Sequence, residues 1–298
     1  MSISKSPSKL SLPQVNPGVE NVLEYLILKF PNINAEIWRK RVADGKVHWH
    51  DGSLITSTSP FRPQQRVYYY REVESETLIP FKEYIIFEDE HILVACKPHF
   101  LSVTPGGIHI NECLQSRLRD KTGNDNLQAI HRLDRVTAGL VLFSKNPDTR
   151  HLYHGLFQAK KIQKKYQAIA LVDQEKKLSG MHWTVKNRIV RSDKAFRMQL
   201  AEGQANSHSM IHCIKQLGNK ALFELSPITG KTHQLRLHMQ ALTYPILFDN
   251  YYPELQEKAA DVYSRPLQLI ATQLHFVDPL THAPRQFHSQ RNLSLEQR

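Results

Sequence analysis

One carboxylate in this chain stands between two cations. In the stretch AIHRLDRVTAGLVLFSK, Ala129 to Lys145, Asp134 lies between Arg132 and Arg135, just before a turn of small residues and an apolar run. Cations beside a carboxylate favour its ionised form, which suits an aspartate that must act as a nucleophile at neutral pH. The same spacing fits a surface ion-pair cluster on a loop, the commoner arrangement for exposed carboxylates. Two later stretches also set cations beside groups that hold or move protons. QKKYQAIALV carries Lys164, Lys165 and Tyr166, and ITGKTHQLRLHM, Ile228 to Met239, carries Lys231, His233, Gln234 and Arg236. Taken singly, Tyr166 reads as a packed aromatic and Arg236 as an arginine on a helix surface.

The three stretches in this order are more specific. HRLDRVTAGL resembles the catalytic motif of the RluA family of pseudouridine synthases, in which HRLD is followed by two variable residues and a Thr-small-Gly-Leu turn. KKY resembles the family's second motif, a basic residue and a tyrosine opening a strand, and TGKTHQLRLH resembles its TGR-x-HQLR-x-H block. The resemblance implies that Asp134 is the nucleophile and that Tyr166 lies against the target base and takes part in proton removal. It implies further that Arg236 pairs with the Asp134 carboxylate, orienting it and lowering its pKa. Arg132 is implied to help occupy the gap left by a flipped base, and His131, Lys164, Lys165, Lys231, His233 and Gln234 are expected to contact RNA with it. The chain departs from the family pattern at Ala138, where Ser is frequent, and at Lys231, where Arg is frequent. The block YPILFDNYY keeps Pro245, Ile246, Asp249 and Tyr252 but has Tyr244 and Phe248 where glycines are common.

The implied reaction breaks the bond from ribose to the uracil nitrogen, turns the base and rejoins it through carbon 5. The target must leave its stack, and no redox carrier or metal is needed. Addition of the carboxylate to ribose and assistance of an elimination both remain open. Two rival readings are a non-catalytic RNA-binding protein on the same fold and a glycosidase-like enzyme. The second would use paired carboxylates, whereas HRLDR offers one.

Composition agrees with a polyanionic partner. The 298 residues carry a formal net charge of +11 and a sequence pI near 9.5. Structured RNA is the expected partner, with large-subunit ribosomal RNA favoured over transfer RNA; a monomer with no obligatory protein partner is expected. Cys96, Cys113 and Cys213 form no CxxC pair, which excludes a disulfide framework and a four-cysteine zinc site. The 16 histidines include close pairs such as His151 with His154 and His208 with His212, but no HExxH occurs. Neither GxxxxGK[ST] nor GxGxxG is present, so no metal and no cofactor is expected. The chain has no signal-like segment and no apolar run of about 18 residues, which points to a cytoplasmic protein away from membranes.

The elements that must position these residues read as an α+β fold with a mainly antiparallel mixed sheet and flanking helices, preceded by a small α/β domain. Ser, Pro and Lys in residues 1–18 suggest a mobile tail. Residues 19–80 are expected to hold two helices, Val22 onward and Asn34 to Arg41, then a strand-turn segment around Asp44 to Gly52 and a linker at ESETLIPF. With WRKRVADGKVHW, this part resembles the small alpha-L RNA-binding domain often found in front of the family's catalytic domain. Residues 81–298 are expected to form the catalytic domain. Strands are predicted at IIF, ILVAC, Gly139 to Ser144, Tyr166 to Val172, Trp183 to Val190, His208 to Ile214 and Ala221 to Leu225. RPLQLIATQLHFVDP looks like the family's closing strand. Helices are predicted at Asn111 to Lys121, Pro147 to Lys160 and Thr232 to Ala241, the last entered through Gly230. AKKIQKKY is expected to touch RNA in part, while RIVRSDKAFR carries no assignment.

Overall fold

The structure is a computed structural model that describes residues 2–194, 196–256 and 261–296. It divides into two compact units, residues 1–77 with Gly106–Asn111, and Leu78–Pro105 with Glu112–Arg298.

In the first unit, strand β1 (Ser2–Ile3) and β2 (Ser8–Ser11) precede helices α1 (Val22–Lys29) and α2 (Ala35–Ala43), followed by β3 (Val47–Trp49), β4 (Arg66–Tyr69) and β5 (Glu72–Val73). Both helices start at an asparagine: the side chains of Asn21 and Asn34 accept from the backbone N–H groups of Glu24 and Glu36. β2, β4 and β3 form an antiparallel sheet, and β1 pairs with β5. Trp38, Val22, Leu26, Val47 and Val67 fill the space between helices and sheet. The expected tail is corrected here. Ser2–Ile3 and Ser8–Ser11 are strands, and Leu12 is buried, because their partners lie about sixty residues away at 66–73, beyond the reach of local composition.

The second unit contains β6 (Tyr84–Glu88), β7 (Ile92–Lys97), α3 (Leu114–Thr122), β8 (Gln128–Ala129), β9 (Ala138–Ser144), α4 (Arg150–Gln158), β10 (Gln163–Leu171), β11 (His182–Arg191), β12 (Met198–Ala201), β13 (Ser207–Leu217), β14 (Lys220–Pro227), α5 (Gln234–Ala241), β15 (Leu269–Val277) and β16 (Pro284–His288). Among the described residues its strands form one 11-stranded sheet, ordered β12-β11-β13-β14-β10-β15-β9-β7-β6, with β16 on β15 and β8 on β9. Every pairing is antiparallel except β15 with β9.

Burial explains why the strands differ in pattern. β7 and β9 are buried at every position: Leu93, Ala95, Val141 and Phe143 point to one core, and Ile92, Val94, Leu140 and Leu142 to another. A strand covered on both faces reads as an unbroken apolar run. β11, β13 and β14 alternate, because only one of their faces is covered. The first four residues of RIVRSDKAFR, which carried no assignment, form the end of β11 and pair with β12.

The parallel contact of β9 with β15 governs the small-residue turn after Asp134. Gly139 has φ +110°, and a Cβ placed there would lie 2.1 Å from the Ala271 carbonyl oxygen. No other residue fits that approach without moving a strand. Of the two positions where the family commonly has glycine, Phe248 keeps the left-handed backbone at φ 62°. Tyr244 instead fills core space, stacked on Phe223 at 5.7 Å between centroids. Gly139→Ala is expected to destabilise the protein by about 2 kcal/mol or more, from backbone overlap plus an unfavourable φ. The midpoint of urea unfolding measures this, and an unchanged midpoint would show that β9 and β15 tolerate separation.

Candidate active site

Asp134 lies in the loop from β8 to β9, where the N–H of Thr137 donates to its carbonyl at 3.0 Å and closes a turn. Its side chain is 28% exposed, so the carboxylate is reachable from solvent. The loop is held from beneath. Lys97, at the end of β7, is completely buried, and its Nζ donates to the carbonyls of Pro98, Leu101 and Arg135 at 3.0, 2.7 and 3.0 Å. His99 Nδ1 bonds the Val136 carbonyl at 2.7 Å. Burial drives the Lys97 pKa well below its ordinary value and pushes His99 down to about 4. Two successive loop carbonyls are therefore fixed by Lys97 and His99. Neither was foreseen; the signal was a lysine closing a run of fully apolar strand residues.

The flanking arginines do not act as expected. Arg135 forks onto Asp261 at 2.6 and 2.7 Å, and also donates to the Phe100 carbonyl at 3.2 Å. Arg132 is exposed. The cation that meets Asp134 is Arg236, on α5, whose Nη1 lies 3.4 Å from Asp134 Oδ2. Arg236 is itself only 2% exposed and is pinned by Asp249, with Nε to Oδ2 at 2.7 Å and Nη2 to Oδ1 at 2.6 Å. The bidentate pair thus forms with Asp249, and Asp134 receives the remaining arm. Burial opposes the Arg236 charge, but the Asp249 pair and then Asp134 outweigh it and raise its pKa. Tyr251 and Tyr252 place their rings 4.9 and 5.2 Å from the guanidinium carbon. Asp249 is held in turn by the backbone N–H groups of Tyr251 and Tyr252 at 2.8 and 3.2 Å. Within YPILFDNYY, the retained Asp249 and Tyr252 were the available signal for this network.

Tyr166 approaches through strand register. It pairs with Ala271 on β15, and Ala271 pairs with Gly139 on β9, so these three strands carry it to the Asp134 loop. The β10 ladder shifts register between Lys165 and Tyr166. Burial first, and then the Asp134 charge, push the phenol pKa upward. A raised phenol pKa keeps the hydroxyl protonated at neutral pH.

The remaining candidates divide. His233 takes the left-handed conformation at φ 55° and delays α5 to Gln234; Gly230 has no positive φ and is not what turns the chain. His233 Nδ1 lies 2.9 Å from the Tyr252 hydroxyl, which also donates to the Met198 carbonyl and accepts from the Met198 N–H. Its Nε2 faces Asp134 Oδ2 at 3.9 Å, and burial lowers the imidazole pKa. Gln234, expected on the RNA face, is buried: its oxygen accepts from Thr229 and from the Lys231 N–H, and its amide donates to the His208 carbonyl and to Ser209. His131 is likewise turned inward, accepting the Leu142 N–H at 3.1 Å and stacking on Phe157 at 4.7 Å. Lys165 pairs with Glu224 at 3.0 Å. Lys164 is half-buried, with its pKa lowered by burial and its ammonium 3.8 Å from where a Cβ on Gly230 would stand. Lys231 is exposed. Among the described residues, no three His, Cys, Asp or Glu side chains converge as metal ligands, and no helix is long and apolar enough to cross a membrane.

Replacing Asp249 by Asn is expected to cost about 3–5 kcal/mol, because the Arg236 charge would be left buried without its pair, and activity should fall with it. Arg236→Lys should fare little better, since an ammonium cannot fork onto Asp249 and still reach Asp134. Urea unfolding and turnover measured together test this; near-wild-type values for both would show that the pair is dispensable.

Burial holds His131 down to about 3 and His238 to about 4, against an ordinary value of 6.5. Between pH 6.5 and 4 the unfolded chain therefore binds more protons than the folded one, so stability drops as pH falls and is recovered above 6.5. Unfolding midpoints at pH 7 and pH 5 should show this slope, and His131→Gln should flatten it; a His131→Gln slope equal to that of wild type would mean His131 is not a source.

Comparison with known proteins places these residues in context. The model of a family described as RNA pseudouridylate synthase matches residues 91–241. A dual-specificity RNA pseudouridine synthase RluA of Vibrio vulnificus is 33% identical over 215 residues, 66% of this chain and 79% of that protein. A ribosomal large subunit pseudouridine synthase C of Rickettsia prowazekii is 35% identical over 173 residues, 57% of this chain and 56% of that protein. Among solved structures, human RNA pseudouridylate synthase domain containing 4 is similar with a TM-score of 0.53 and 26% identity, covering 68% of this chain and 87% of that one.

Proposed function

We propose, from the premise that this chain belongs to the RluA family of RNA pseudouridylate synthases, that Asp134 is the nucleophile of its uridine isomerisation, Arg236 the positioning partner and Tyr166 the group against the target base. The chain is an RNA pseudouridine synthase, an isomerase whose reaction leaves the atom count of the RNA unchanged. One observation carries the assignment of Asp134: its partly exposed carboxylate meets one arm of a guanidinium whose other arm is locked on Asp249. An orienting group that is itself immobile holds the attacking oxygen in place without spending binding energy on it during the reaction.

In this reading the uridine leaves its stack and presents its ribose carbon to the Asp134 oxygen. Arg236 steadies that oxygen through Nη1. Burial and the Asp134 charge raise the Tyr166 pKa, so at neutral pH it is the protonated hydroxyl, not a phenolate, that lies against the base. Arg132 and Lys231, both exposed, are the cations free to meet the RNA backbone or the gap left by the flipped base, and Lys164 stands near the Gly230 turn. Gln234, which is buried, supports the site from inside.

The substrate of this reading is large-subunit ribosomal RNA in preference to transfer RNA, in line with the name of the Rickettsia relative and with a basic chain whose sequence carries a further unit before the catalytic one. That first unit is taken as RNA-binding, through its alpha-L resemblance. The protein is read as a cytoplasmic monomer working without a cofactor; its free, buried cysteines suit a reducing compartment.

Asp134→Asn is expected to abolish isomerisation while RNA affinity stays within about tenfold, since the amide keeps the shape and loses the nucleophile. Pseudouridine mapping of total RNA from cells with the wild-type protein, the Asn variant or neither would test both halves. Wild-type turnover by the variant overturns the nucleophile, and a site lost only from transfer RNA overturns the ribosomal preference.

A further inference from the structure

We infer that the outer face of the small sheet β2-β4-β3 in the first unit is a stacking surface for unpaired bases of single-stranded RNA. This inference rests on the RNA-modifying reading above but concerns a surface outside the reacting residues. Its basis is the register of three short strands. Lys9, Tyr68 and His48 stand directly opposite one another across β2, β4 and β3, so they share one face. The next row, Leu10, Val67 and Trp49, points the other way, into the core. Arg66, two residues before Tyr68 on β4, belongs to the outward set, and just past the strand ends the Tyr70 ring lies near His48 and the His50 ring near Tyr68.

The outward rings form a platform. The Tyr68 ring lies 5.4 Å from His48 with 10° between planes, and 5.7 Å from His50 with 26°. His50 Nδ1 is 3.0 Å from the Tyr68 hydroxyl, which ties the two rings together, and Tyr70 follows at 6.1 Å from His48. Tyr68, His48 and Tyr70 are half-buried and His50 is exposed, so the group remains partly open to solvent. The core of the unit is supplied by the inward row together with the helices, and the outward rings are not part of it. The charge is complementary to a polyanion. SKLS, VHW and RVYY contain no acidic residue, and exposed Lys9 and Arg66 have no carboxylate partner among the described residues.

Flat rings flanked by unpaired cations match the chemistry of an unstacked nucleic-acid strand, whose bases lie on aromatic faces while Lys and Arg follow the phosphates. A perfect duplex hides its base faces and offers phosphates alone, so the rings discriminate in favour of single strands. An enzyme whose target uridine must leave its stack works on irregular RNA, where neighbouring bases are also free to be captured.

The test uses the full chain and two labelled probes, a single-stranded oligouridylate of about ten nucleotides and a blunt, fully paired RNA duplex. Replacing Tyr68 and His50 together by Thr, a residue at home in strands, should weaken single-strand binding roughly 5- to 100-fold with the salt slope kept, while duplex binding and the turnover on saturating RNA stay as in wild type. Lys9→Gln with Arg66→Gln should instead weaken both probes and reduce the single-strand salt slope by about 1.4. Unchanged single-strand affinity in a Tyr68→Thr, His50→Thr protein that melts like wild type overturns the surface. Should that variant fold poorly, photo-crosslinking of wild type to a 4-thiouridine oligonucleotide decides: adducts on residues 48–50 or 66–70 support the inference, and adducts elsewhere alone overturn it. Crosslinks here from a wild-type protein that isomerises no uridine would sink the enzymatic reading and leave the surface standing; isomerisation with no crosslink here would do the reverse.

Discussion

A guanidinium at 2% exposure cannot be left alone, and most of the candidate site follows from how Arg236 is satisfied. Its planar fork matches one carboxylate along the Nε and Nη2 edge, which Asp249 occupies, and leaves Nη1 pointing at a second, Asp134. Two aromatic rings flank the group, so the arginine has little room to swing. Around that centre each partner fixes another segment. Asp249 gathers the backbone of Tyr251 and Tyr252, and Tyr252 joins β12 to His233 at the start of α5. Asp134 is thereby coupled to parts of the chain more than a hundred residues away.

The loop that carries the same carboxylate is held through its backbone. Lys97 and His99 occupy consecutive carbonyls of the Asp134 loop, and Gly139 lets β15 press against β9 directly behind it. A buried lysine and a buried histidine are costly residues to keep, and their cost makes sense if loop geometry matters more than local stability. The flanking arginines of the motif then have separate work: Arg135 anchors the loop to Asp261, and Arg132 is left in solvent. The rigid frame ends at the carboxylate, which is the group that must stay accessible.

Within this frame the positive charge of the chain is divided by burial. Arg236 is enclosed and paired and Lys97 is enclosed among backbone carbonyls, whereas Arg132, Lys231, Lys9 and Arg66 remain exposed. Only the exposed set can release counterions from an RNA backbone. A net charge of +11 therefore overstates the surface available for binding, and the histidines, several of them buried and neutral, add little to it at neutral pH.

The sequence by itself determined the elements whose causes are local. Periodicity placed the helices at α1 and α2, apolar runs placed β7 and β9, and β11, β13 and β14 were also expected as strands, because each pattern reflects how many of an element's faces are covered. The ordered motifs likewise singled out Asp134, Tyr166 and Arg236, which the fold brings toward one loop. Tertiary structure decided the partners. That Arg236 forks onto Asp249, that Arg135 turns to Asp261, that His131 and Gln234 face inward and that residues 2–11 pair with a strand far along the chain all depend on long-range contacts. Residue type states how many hydrogen bonds and charges a side chain must satisfy, and only the packed chain decides which groups lie near enough to satisfy them.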